Sequence, residues 1–260
     1  MFEAKFEDGH IFKVIIESLA AVVEKANFEV SPEGIQVRAM DGSHVALAQL
    51  SLSCEGFDHF RCDETQVSGI DMRALSKYLK FVESGSALTL TADDDASHLN
   101  LKQDTPKGQV EMEFQLLNIE EESMEIPQQE YAARIVLGTS RFSKLIKDMR
   151  QIDDTIQIKA AKEKALFAVH GQFGNIDLQL AHNEDEQSNP DARTKIETAK
   201  NVLVDQQFAL GYLDLFAKAS SLSTFTTLGL LPEQPVMVEF PIAGFGELRY
   251  FLAPKLPDQA

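Results

Sequence analysis

Apolar residues recur along the chain with two different periods. Four stretches carry them three and four positions apart, as on one face of a helix. The first covers roughly residues 10–23, with Ile11, Phe12, Ile15, Ile16, Leu19 and Val22 in one stripe. The second runs from Met72 to Val82 with Leu75, Tyr78, Leu79 and Val82 inward, Asp71 as its N-cap and Gly85 just past its end. The third follows Thr139-Ser140 and reads Phe142, Leu145, Ile146, Met149, and the fourth lies near residues 208–219 with Leu213, Phe216 and Ala217 inward. Each is short and one-sided, so each must cover a sheet or another helix.

Elsewhere the pattern alternates with period two. Ile35–Arg38, Val45–Leu50, Ala87–Thr91 and Val110–Phe114 are such runs, followed by Thr155–Lys159, Ile176–Leu180 and Val236–Phe240. Turns rich in Gly, Asn, Asp or Pro separate them, which predicts antiparallel hairpins and meanders. The expected class is α+β, two similar domains of two helices each on antiparallel sheet.

The order of elements repeats. Shifting the chain by 130 residues sets Phe12, Ile15, Ile16 and Leu19 on Phe142, Leu145, Ile146 and Met149. Shifting by 138 sets Leu75, Tyr78 and Lys80 on Leu213, Phe216 and Lys218. This reads as an internal duplication, with domains at 1–115 and 132–260. Residues 116–131, with Glu120-Glu121-Glu122, Glu125 and Pro127, form an exposed acidic connector between them. Asp93-Asp94-Asp95 and Glu184-Asp185-Glu186 are expected at hairpin tips.

The 260 residues have ordinary globular composition, 44% apolar and 25% charged, which excludes disordered and fibrous classes. No apolar stretch approaches the roughly 18 residues of a membrane span. The acidic start, Glu3 to Asp8, is unlike a signal peptide. Two cysteines, Cys54 and Cys62, fit a reducing compartment, and no Cys/His cluster has zinc spacing.

A net charge of −17 argues in bulk against nucleic-acid binding, but the charge is segregated. The second helix carries Arg73, Lys77 and Lys80 with no acid before Glu83, a charge of +3. The third carries Arg141, Lys144, Lys147 and Arg150 against Asp148, again +3. Lys13 offsets Glu17 and Lys218 offsets Asp214 on the other two. Two basic faces in equivalent positions of two halves point to sequence-independent contact with phosphates. No helix-turn-helix, finger ligand set or stacking motif reads bases.

Ordered motifs then carry a resemblance over the whole chain. They are Met1-Phe2-Glu3-Ala4, Met40-Asp41-Gly42-Ser43-His44-Val45, Glu55-Gly56-Phe57-Asp58, Arg61-Cys62-Asp63, Ile126-Pro127-Gln128-Gln129-Glu130-Tyr131 and Tyr250-Phe251-Leu252-Ala253-Pro254-Lys255. In that order the chain resembles the eukaryotic proliferating cell nuclear antigen family of DNA sliding clamps. The resemblance implies a homotrimeric, nuclear processivity factor without catalysis or cofactors. Its ring would encircle duplex DNA with helices lining the hole, Lys13, Arg73, Lys77, Lys80, Arg141, Lys144, Lys147, Arg150 and Lys218 facing it. Strands near Gln109–Phe114 and Phe173–Leu180 would pair between neighbouring subunits. DNA polymerase, clamp loader, flap endonuclease and DNA ligase would dock through short Gln-aromatic motifs.

By matching motif, the partner pocket implied by the resemblance comprises Met40, His44, Val45, Leu47, Ile126, Pro235, Phe251, Ala253, Pro254 and Leu256. Met124-Glu125 stands where the family has Leu-Gly, Gly211 replaces a basic residue and Val14 replaces a second lysine, which weights DNA contact toward the second and third helices. Lys162 aligns with the family's modified lysine, although Lys164 leaves the assignment open. Two rival readings compete with this one. An oxygen-rich metal site would use Asp93-Asp94-Asp95 with His98. A subunit of the heterotrimeric checkpoint clamp would keep the fold but lose the Leu252-Ala253-Pro254-Lys255 motif, which is intact.

Overall fold

The computed structural model describes residues 1–94, 96–120, 129–162, 164–183, 193–199 and 203–255. The chain divides into two compact units, Met1–Glu125 with Ile242–Leu248, and Ile126–Pro241 with Arg249–Ala260. The first half runs β1 (Phe2–Phe6), α1 (Gly9–Ala20), β2 (Lys25–Ser31), β3 (Gly34–Met40), β4 (Ala46–Ser53), β5 (His59–Cys62), β6 (Gln66–Asp71), α2 (Met72–Tyr78), β7 (Leu88–Ala92), β8 (His98–Thr105) and β9 (Gly108–Gln115). The second half runs β10 (Ala133–Gly138), α3 (Thr139–Arg150), β11 (Thr155–Ala161), β12 (Lys164–Gly171), β13 (Gly174–Ala181), β14 (Thr194–Thr198), β15 (Val204–Ala209), α4 (Leu210–Phe216), β16 (Phe225–Leu230), β17 (Val236–Ile242) and β18 (Gly246–Leu252).

Order and pairing repeat element by element. Strands lie in the order β5–β1–β7–β8–β9 and, separately, β4–β3–β2–β6; their counterparts are β14–β10–β16–β17–β18 and β13–β12–β11–β15. Adjacent strands pair antiparallel, as in β1 with β7 and its equivalent β10 with β16. The duplication read from helix spacing therefore extends to the sheets.

The helices repeat in their docking as well. The first amide of α1, Gly9 N, donates to Ser86 O just ahead of β7, and Thr139 N of α3 donates to Thr224 O just ahead of β16. Met72 N of α2 donates to Glu24 O ahead of β2, and Leu210 N of α4 to Asp154 O ahead of β11. Each bond satisfies a helix-start N–H that no intrahelical acceptor can reach. Asp8 and Asp71 add side-chain caps to α1 and α2, through His10 N at 2.9 Å and Ala74 N at 2.8 Å. Among the described residues no side chain caps the start of α3 or α4.

One face of each helix is buried. Phe12, Ile15, Ile16 and Leu19 on α1, and Phe142, Leu145, Ile146 and Met149 on α3, are buried as their spacing predicts. In the first unit the Phe6 ring packs on Phe12, Phe57 and Phe245 at centroid distances of 5.2, 4.8 and 5.5 Å.

Three expectations need correction. The first helix stops at Ala20, which leaves Val22 half-buried beyond it. The second gives way after Tyr78 to a 3-10 turn, Leu79–Phe81, a tightening common at helix ends. Tyr78 is not inward but 46% exposed, its ring set edge-on against Phe114 at 5.4 Å. Its repeat-equivalent Phe216 is buried and stacks on Tyr250 at 4.5 Å.

Two glycines hold the described ends of the segment between β9 and β10. Gly69 of β6 bonds Leu117 N at 2.8 Å, and a Cβ there would stand 2.3 Å from Leu117 O. Gly229 of β16 lies under the Tyr131 ring, 2.8 Å from where its Cβ would be. Residues 121–128 of the expected connector, including Glu121, Glu122, Met124, Glu125, Ile126 and Pro127, lie outside the described residues, as do Glu184-Asp185-Glu186.

Tyr250 is fully buried and its hydroxyl has no hydrogen-bond partner among the described residues. Burial of that hydroxyl pushes its ionisation far above the ordinary tyrosine range. The neutral form is therefore favoured by folding, and the associated stability is lost as pH rises past the unfolded value of about 10. Tyr250→Phe removes both the orphaned hydroxyl and its titration. The variant should be more stable than wild type by about 1 kcal/mol at neutral pH. In thermal melts from pH 9 to 11 its advantage should widen; a variant that melts lower at every pH contradicts this account.

Candidate functional site

The helix periodicity that buries Phe142, Leu145, Ile146 and Met149 turns Lys144, Lys147, Asp148 and Arg150 to solvent. On α2 and its 3-10 extension it does the same for Arg73, Lys77 and Lys80 around buried Leu75 and Leu79. Helices α1 and α2 lie side by side in the first unit, as α3 and α4 do in the second. Each unit thus presents a helical layer on which basic side chains outnumber acidic ones.

The nine expected DNA-facing residues divide by what they touch. Lys77, Lys80, Lys144, Lys147 and Lys218 are exposed and make no ion pair or hydrogen bond among the described residues. The other four are engaged. Arg73 pairs with Glu24 at 2.5 Å and Arg150 pairs with Asp214. Arg141 donates to Thr194 Oγ1 at 2.8 Å, and Lys13, half-buried, reaches the Val82 carbonyl at 3.4 Å. Exposed pairs such as these contribute about 0–1 kcal/mol each, so the two arginines exchange partners at little cost.

Beside α3 a cleft of about 450 Å³ is lined by Thr139, Ser140, Ser143, Lys144, Lys147, Asp148, Ser220 and Ser221. It combines hydroxyl donors near the start of α3 with two uncommitted ammonium groups further along the helix. That chemistry suits an anion, tempered by Asp148.

The residues expected to bind partner peptides fall in both units. In the first, Met40 of β3 stands opposite Leu47 of β4 in register, and Val45 lies in the turn just ahead of β4, two residues before Leu47. All three are half-buried, and they form a small apolar patch on the hairpin. His44 is exposed, with a left-handed backbone at φ 56°. In the second unit Phe251, Ala253 and Pro254 are half-buried and Pro235 is exposed. Ile126 and Leu256 lie outside the described residues. Sequence reading passed over Asp41, which is 6% exposed and bonds the turn that carries His44. The Asp-Gly pair at 41–42 was the available turn signal.

Among the described residues β5, β9 and β13 end their sheets with no partner on the outer side. Exposed apolar residues belong to the neighbourhoods of β9 and β13 in sequence and contact: Tyr78 and Phe81 (70% exposed) with Phe114 of β9, and Phe173 (97%) and Ile176 at β13. By contrast, Leu117 bridges to the β6 edge at Gly69, and Lys255 N bonds Gln207 O on β15 at 2.7 Å.

The remaining candidates are placed as follows. Lys162 sits exposed in the β11–β12 turn with φ 51°, whereas Lys164 opens β12. Asp94 bonds the Met1 ammonium, which also pairs with Asp63 at 3.5 Å. His98 faces Ser97 at 2.8 Å and Glu113 at 3.4 Å, and Asp95 lies outside the described residues. Among the described residues no group of three or more His, Cys, Asp or Glu is arranged to hold a metal ion. No helix there is long and apolar enough to cross a membrane.

If Asp214 withholds Arg150 from anions, Asp214→Asn should release it. The variant should elute from immobilised heparin at higher salt than wild type, and Lys144→Glu at lower salt. Equal elution of all three proteins would show that this layer does not meet polyanions.

Comparison with known families divides the chain at a similar place. A model of the proliferating cell nuclear antigen N-terminal domain matches residues 1–125, and a model of the proliferating cell nuclear antigen C-terminal domain matches residues 125–255.

Proposed function

The chain belongs to the proliferating cell nuclear antigen family of DNA sliding clamps, and on that premise we propose that three copies close head to tail into a ring around duplex DNA. Clamps of this family are non-enzymatic scaffolds that serve DNA replication and repair. The observation that carries the proposal is the set of five uncommitted lysines, Lys77, Lys80, Lys144, Lys147 and Lys218, on equivalent helical layers of a chain with net charge −17. Such a layer attracts phosphates without reading bases, while the acidic remainder repels them. Topological closure lets these contacts stay weak, and weak contacts permit sliding.

The open edges of β9 and β13 support the ring. Pairing β9 of one copy with β13 of the next satisfies both rows of backbone groups and covers Phe81 and Phe173. The contact is heterologous, so it generates a closed ring when its rotation closes and a filament when it does not. In the nucleus the ring tethers DNA polymerase, clamp loader, flap endonuclease and DNA ligase through short Gln-aromatic motifs, raising their local concentration on DNA. The apolar patch of Met40, Val45 and Leu47, and Phe251, Ala253 and Pro254 of the second unit, supply the apolar contact those motifs need. Residues 116–131 act as the connector between the domains, and Lys162 is the candidate modification site, with Lys164 two residues on as its alternative.

Light scattering after size exclusion should give about three times 28.9 kDa for the purified protein at micromolar concentration. A monomer, or a mass reached only with other chains, overturns the homotrimer and favours the checkpoint-clamp reading.

Reversal of Lys77, Lys80, Lys144 and Lys147 to Glu should leave that mass unchanged and abolish retention on circular duplex DNA. The slope of log affinity against log salt should become shallower by about 0.9 for every phosphate no longer neutralised. Retention equal to wild type across the salt series would remove these helices from the DNA-facing surface.

A further inference from the structure

We propose that Asp41 is a positioning residue for the partner-peptide surface of the first unit, an inference that rests on the peptide reading above. The turn from Asp41 to Ala46 joins β3 to β4 and carries the two expected contact residues His44 and Val45. Asp41 is buried, and its carboxylate accepts three amides of the turn. Its Oδ1 accepts from Val45 N at 2.8 Å and Ala46 N at 2.7 Å, and its Oδ2 accepts from Ser43 N at 3.0 Å. The Asp41 backbone adds two bonds, donating to Ala46 O at 2.9 Å and accepting from His44 N at 3.0 Å. Every amide from Ser43 to Ala46 therefore ends on Asp41.

This arrangement does something the sheet register cannot. The β3–β4 pairing fixes Met40 opposite Leu47, but it ends there. Beyond it Gly42, Ser43 and His44 are exposed, and His44 holds a left-handed backbone that costs a non-glycine residue about 1 kcal/mol. Side-chain packing does not offset that cost on an exposed loop. The Asp41 carboxylate does, because releasing the turn would take three amide donors from a buried anion. With Asp41 in place His44 and Val45 are presented in one conformation next to the Met40–Leu47 patch. Without it the turn samples several, and only the competent fraction binds, so the apparent dissociation constant rises by the inverse of that fraction.

The test uses the full-length protein and a labelled peptide with a Gln followed by one aliphatic and two aromatic residues. Asp41→Ala should weaken binding about tenfold, with most of the loss in the association rate, while the solution mass stays that of wild type. Asp41→Asn should recover part of the affinity: its Oδ1 can still accept from Val45 and Ala46, but its NH2 opposes the Ser43 N–H. Hydrogen exchange of the Val45 and Ala46 amides, slow in wild type, should quicken in the order Asn then Ala. Wild-type affinity in both variants, or turn amides that stay protected in Asp41→Ala, overturns the role of Asp41 and leaves the peptide reading standing. A wild-type protein that does not bind the peptide overturns both.

Discussion

The structure depends on where its helices begin. Each of the four donates its first backbone amide to a carbonyl just ahead of a strand, Gly9 to Ser86, Met72 to Glu24, Thr139 to Thr224 and Leu210 to Asp154. An orphan donor at a helix start must find an acceptor or water. A strand-entry carbonyl supplies that acceptor and anchors the helix start to the sheet. Burial of the apolar stripe sets the rotation of the helix, and the basic residues on the opposite side face out. The same bond and stripe recur at equivalent points of both halves, so both halves present the same face.

That constraint explains how a strongly acidic chain can carry a basic surface. Surface ion pairs are weak, and two of the arginines spend their charge on Glu24 and Asp214. The lysines are left over because their helices hold few acids, and because the neighbouring loops place those acids elsewhere. Asp94 holds the Met1 ammonium and Asp58 the Lys5 ammonium, and neither acid lies on a helix. Separation of charge by element, rather than net charge, decides what the molecule can meet.

The strand edges show a similar division of labour. Where an edge lies beside the chain's own connecting segments it is covered, β6 by Leu117 and β15 by Lys255. Where it does not, as at β9 and β13, the edge stays open, and near those two aromatic or aliphatic side chains collect. An open, apolar edge is a hazard in an isolated chain and an asset in an assembly that pairs it. The proposed ring makes use of both edges.

Much of this architecture is legible in the order of residues alone. Helix periodicity identifies the buried faces of α1 and α3 residue by residue, because a period of 3.6 leaves little freedom in which side of a helix is wet. Alternation identifies the strands for the equivalent reason, and the two offsets of 130 and 138 expose the duplication. What the sequence could not decide was set by neighbours distant along the chain. Tyr78 and Phe216 occupy equivalent places with similar side chains, yet one is exposed against Phe114 and the other is sealed under Tyr250. Which basic residues remain free depends on Glu24 and Asp214, 49 and 64 positions from the arginines they engage. Asp41 is one turn aspartate among several in the sequence, and only folding brings three amides onto its carboxylate. Local pattern determines which residues are in or out of a helix or strand; only the folded chain determines which polar groups are already satisfied, because hydrogen bonds and ion pairs are made in space and not along the sequence.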